Sequence, residues 1–108
     1  VENFCWIRDE FHSMTEPYFE NKLIITGHTI TFTFPGVEPG NLASGAGWLD
    51  IDTGAYHPYS GWLTGVDITN KQVYQVNSKS LALRQFALDE ITTPVAPEQV
   101  YSKRKQMA

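Results

Sequence analysis

Near the start of the chain, apolar residues recur at spacings of three, four and three: Phe4, Ile7, Phe11 and Met14. That period lines them up on one helical face, with Glu2, Arg8, Asp9, Glu10 and His12 mostly elsewhere. It predicts a helix over 2–14 with His12 on its surface. Glu16-Pro17 ends the helix, because the residue before a proline is pushed away from helical angles.

The pattern then changes to alternation. In KLIITGHTITFTF, residues 22–34, two β-branched runs flank Gly27-His28, and Gly-X suits a two-residue type II′ turn. Ile30, Phe32 and Phe34 alternate with Thr29, Thr31 and Thr33, which predicts an antiparallel strand with one face in the core. PGVEPGNLASGAG, residues 35–47, reads as a long Gly- and Pro-rich loop, of a kind that often carries function. In GWLDIDT, Leu49 and Ile51 share one face while Trp48, Asp50 and Asp52 share the other. A turn spans 54–61. WLTGVDI, residues 62–68, then places Trp62, Thr64, Val66 and Ile68 on one face. Thr69-Asn70-Lys71 turns the chain into QVYQV, which pairs back on its predecessor. NSKSLALRQFALDEI, residues 77–91, has good helix formers behind a capping Asn77 or Ser78 and predicts a second helix, stopped at Thr92-Thr93-Pro94.

Strands that follow one another without helical crossovers favour an antiparallel sheet. The expected fold is therefore α+β: an antiparallel sheet of about five strands in a meander, with an N-terminal and a C-terminal helix packed on one side. Residues 1–93 form a single domain and 94–108 a C-terminal arm or tail.

Composition sharpens this picture in two respects. With 108 residues and 42% hydrophobic content, the chain supports one core. Its one cysteine, Cys5, allows no internal disulfide, and the start VENFCWIRDEF lacks the basic segment and apolar run of a signal peptide. A cytoplasmic location is expected. The net charge is −4, and it is unevenly spread: residues 1–60 hold eight acids and two bases, residues 61–108 four acids and six bases, including Lys103-Arg104-Lys105. An acidic body repels phosphate, which argues against direct nucleic-acid binding, and suits a basic protein partner.

Ile51-Asp52-Thr53-Gly54-Ala55 resembles the Asp-Thr-Gly-Ala signature of retropepsin-like aspartic proteases. That resemblance implies a dimeric enzyme with one aspartate from each subunit. It covers five residues, and two features depart from it. Asp50 stands where that family has an apolar residue, and Trp62-Leu63-Thr64-Gly65 follows too soon to leave room for a flap. Asp50-x-Asp52-x-Gly54 also looks like the opening of a calcium loop, but the twelfth position is Gly61 rather than a bidentate acid. His12, His28 and His57 lack metal spacing with one another or with Cys5. Gly45-Ala46-Gly47 precedes a strand rather than a helix, unlike a dinucleotide fingerprint. These patterns predict no metal and no cofactor.

What remains is a cluster of rings. Tyr56, His57, Tyr59 and Trp62 fall within seven positions punctuated by Gly54, Pro58 and Gly61, and Trp48, Asp50, Asp52 and Asp67 lie nearby in sequence. Tyr and Trp are amphipathic anchors at interfaces, and acids steer basic partners. Those eight residues are the expected partner-binding set. The function expected is that of a small acidic non-enzymatic binding protein, an inhibitor or immunity-type protein occluding a basic partner such as a toxin nuclease. Two alternatives stand beside it. One is a ligand-binding or hydrolytic domain using Asp52 and His57 under the loop 35–47. The other is a phage or assembly subunit gripping a neighbour through its arm.

Overall fold

A computed structural model describes residues 11–17 and 19–100. Seven short strands form two sheets. The first sheet contains β1 (Ile24–Thr26), β2 (Leu42–Gly45), β3 (Trp48–Asp50) and β7 (Thr92–Pro94), in the order β1-β3-β2-β7. β1 runs parallel to β3, β2 antiparallel to β3, and β7 parallel to β2. The second sheet is an antiparallel meander of β4 (Trp62–Asp67), β5 (Gln72–Asn77) and β6 (Leu83–Ala87). A one-turn helix, α1 (Leu88–Ile91), leads from β6 into β7. No helix among the described residues is long and apolar enough to cross a membrane.

The first sheet is the middle layer. One of its faces carries Leu42 and Leu49, which pack with Ile51 against Val66, Val73, Phe86, Leu88 and Ile91 of the second sheet and α1. Its other face carries Ala43 and Trp48, covered by Phe11, Phe34, Val37, Val95 and Val100. Burial on both faces is what a sheet with parallel neighbours requires, and it leaves all three residues of β3 buried. Gly45 is the cross-strand partner of Trp48, and a Cβ there would run into the indole, so glycine is what lets the ring lie down across the hairpin.

Several expectations change. Among the described residues, the expected sheet of about five strands in one meander is replaced by seven strands divided between two sheets, and only β4-β5-β6 is a meander. The hairpin expected at 22–34 does not form, because β1 takes β3 as its partner. Thr31–Thr33 is instead a 3-10 turn. Thr31 Oγ1 donates to Asn41 O at 2.6 Å and Thr33 Oγ1 to Ile30 O at 2.6 Å, so the hydroxyls serve the local backbone rather than line a strand. The loop expected over 35–47 ends at 41, since Leu42 and Ala43 are fully buried in β2.

The C-terminal helix expected over 77–91 is a hairpin loop, a strand and one helical turn. Asn77 does cap, but its Oδ1 accepts from Lys79 N at 3.0 Å and Ser80 N at 3.1 Å inside the β5–β6 turn. Leu81 there has φ +62°, which no helix contains. The expected boundary at 93–94 falls inside β7, and residues 97–100 form a helical turn that buries Val100. Of the N-terminal helix, only 11–14 lies within the described residues. His12, expected at the surface, is buried with its ring edge-on to Trp48 at 4.4 Å between centroids. The Lys103-Arg104-Lys105 run and Cys5 lie outside the described residues.

Candidate functional site

The crossover from the first sheet to the second passes through the loop 51–61, where the local chemistry fixes its shape. Asp52 Oδ1 accepts from Gly54 N at 3.1 Å, the ordinary use of an Asp at a turn. Gly54 has φ +73°, a conformation glycine adopts without penalty, and its carbonyl accepts from both His57 N and Gly61 N at 3.0 Å. Thr53, buried, bridges to the second sheet: Oγ1 donates to Trp62 O at 2.5 Å and lies 2.5 Å from Thr64 Oγ1. Ser60 Oγ donates to Thr53 O. From the β5–β6 turn, Ser78 Oγ donates to Ala55 O at 2.6 Å, Ser78 N to Gly61 O at 2.7 Å and Lys79 Nζ to Pro58 O at 3.4 Å. The loop is thus closed at its base and held along one side.

Its rings point outward. Tyr56 is 100% exposed and Tyr59 77%. The His57 ring meets Phe32 edge-on at 4.7 Å and Tyr59 at 5.2 Å, with Phe32 and Tyr59 6.2 Å apart. His57 Nδ1 accepts from Tyr59 N at 3.2 Å, so the neutral ring carries its proton on Nε2. Phe32 is the seat on which the two outer rings rest. The sequence does not show this, because the alternate placement of Ile30, Phe32 and Phe34 puts Phe32 on the core face of a strand.

The eight expected partner-binding residues are not one surface. Tyr56, His57 and Tyr59 are together, with Asp52 capping the turn beneath them. Trp48 and Asp50 are buried in β3 and present nothing to a partner. The Asp50 carboxyl accepts from Asp52 N at 3.1 Å through Oδ1, while its buried Oδ2 has no partner among the described residues. Burial pushes its pKa up to about 7, the nearby Asp52 charge adding to the shift. Trp62 lies under the guanidinium of Arg84, 3.8 Å from the ring centroid. Asp67, five residues further along β4 and so about 17 Å away, accepts from Asn70 Nδ2 at 2.8 Å and from Asn70 N at 3.1 Å. Those bonds hold its pKa below the usual carboxylate range.

A second polar group sits on the inner face of the second sheet and was not expected. Thr64, Gln75 and Arg84 are in cross-strand register. The helix that the sequence predicts over 77–91 hides that register; the strand alternation Leu83 out, Arg84 in, Gln85 out, Phe86 in is the signal that reveals it. Among the described residues no three His, Cys, Asp or Glu side chains group as a metal cage. Asp52 and His57, the pair proposed for a ligand-binding or hydrolytic alternative, each hold their own turn. Compared with known proteins, the chain matches no family model, and no curated protein or solved structure is significantly similar to it.

Proposed function

We propose that this chain is a small acidic binding protein, not an enzyme, which occludes a basic protein partner through the loop 54–61. One observation carries the reading: two tyrosines, 100% and 77% exposed, stand on a loop hydrogen-bonded at its base and along one side to the second sheet. Exposed aromatics on a mobile segment would lose much of their binding energy to ordering; on a fixed loop they keep it. Tyrosines of this kind are the residues that dominate binding when buried in a partner's pocket. The net charge of −4 supports a basic partner through long-range attraction rather than contact, since Asp50 is buried and Asp67 is remote. A toxin nuclease with a Lys- and Arg-lined phosphate cleft fits that description, and the chain would act as its immunity-type inhibitor. The contact set then narrows to Tyr56, His57 and Tyr59, with Asp52 shaping the turn beneath them.

The test is capture from native lysate on paired baits, wild type and Tyr56→Ala/Tyr59→Ala. The expected outcome is a basic protein held by wild type, lost by the variant, and inhibited by added wild-type chain. Equal recovery on both baits contradicts the reading.

A further inference from the structure

The inner face of the second sheet carries a polar row. Val66, Val73 and Phe86 form one cross-strand row and join the core; the next row along is Thr64, Gln75 and Arg84. Gln75 is buried and fully used. Its Nε2 donates to Gly40 O at 2.7 Å and Thr64 Oγ1 at 2.9 Å, and its Oε1 accepts from Arg84 Nε at 2.7 Å. The guanidinium lies over Trp62, with Phe86 5.2 Å away. Gly40, at φ +92°, closes against it: a Cβ there would fall 2.5 Å from Nη2. The group is therefore clamped at one edge and on its face, in a partly dehydrated place that lowers its pKa.

No acidic side chain among the described residues pairs with this guanidinium. Among the described residues the polar and ring partners of Arg84 are Gln75, Trp62 and Phe86, none of them acidic. Its two terminal nitrogens, with four N–H donors in a fixed plane, have no protein acceptor there. A guanidinium held at Nε, whose Nη hydrogens meet no acceptor among the described residues, has the donor set of a bidentate anion receptor.

We propose that Arg84, with Trp62 beneath it and Gln75 holding its orientation, forms a binding site for a carboxylate. A planar monoanion matches both the fork and the single positive charge. A doubly charged phosphate would be disfavoured by the net charge of −4. The carboxylate belongs either to a small organic acid or to the terminus of a peptide; the chemistry is the same. This proposal does not rest on the function proposed for the loop 54–61.

The experiment follows the Arg84 Nε–H and Trp62 Nε1–H resonances of the full chain by NMR. The probes are sodium acetate, N-acetylalanine and sodium phosphate, with sodium chloride at matched ionic strength. Saturable shifts of both resonances with acetate, absent with chloride and abolished in a folded Arg84→Lys variant, are expected. Saturation by N-acetylalanine at lower concentration than acetate supports a peptide terminus, and equal saturation a small acid. Acetate shifts no larger than those of chloride overturn the proposal, as does phosphate saturating at lower concentration than acetate. The chloride comparison on wild type decides the matter even if the variant does not fold.

Discussion

At the scale of single residues, Asp50 shows how a correct local reading leads to a wrong exposure. Alternation placed Trp48 and Asp50 on the face opposite Leu49 and Ile51, and they are there. That this second face is also covered depends on β1 lying parallel to β3 and on Phe34, Val95 and Val100 packing over it, contacts between segments far apart in sequence. The buried carboxyl has a consequence for pH. Its folded pKa of about 7 stands above its ordinary value of 3.8. The folded state therefore holds the proton more tightly, and stability falls as pH rises from 3.8 to 7 and is level above that, as far as this group is concerned. The three-unit difference corresponds to roughly 4 kcal/mol at full ionisation. Asp50→Asn, which cannot ionise, is expected to unfold at higher urea concentration than wild type at pH 8, and to lose that advantage at pH 4. Parallel midpoints across that range would show that Asp50 does not titrate with folding.

At the scale of elements, the second sheet was partly legible and the first was not. β4 and β5 were visible because they alternate cleanly around a short Asp- and Asn-bearing turn, and they pair as expected from Trp62↔Asn77 to Asp67↔Gln72. β6 was hidden by composition. Leu83, Arg84, Gln85 and Ala87 are good helix formers, and hydrogen bonding to β5 overrode that preference. Asn77 was recognised as a cap, but what it caps is a hairpin loop. Because its Oδ1 serves two backbone N–H groups, Asn77→Ala is expected to destabilise the chain by about 1 kcal/mol, read as a lower urea midpoint with unchanged slope. An unchanged midpoint would mean the turn holds without it. Ile24–Thr26 was recognised as a strand, yet its parallel partner, 24 residues ahead, leaves no signature in local periodicity.

At the scale of the whole molecule, two sheets are joined by a loop that carries the two most exposed tyrosines among the described residues. The sequence indicated that loop and its rings. It could not indicate that Thr53 and Ser78 both fasten it to the second sheet, or that Phe32 supports His57 and Tyr59. The acidic character is a property of the molecule more than of the loop. Lys79 reaches Pro58 O there, and Asp52 is spent on the turn. Steering and contact are thus assigned to different parts, charge to the body and desolvated area to the tyrosines. This division rests on the loop keeping its shape in the free protein. Backbone order parameters for residues 55–60, measured by 15N relaxation, test that most directly. Values near 0.85, like those of the flanking strands, are expected, whereas values below about 0.6 would contradict a preformed binding loop.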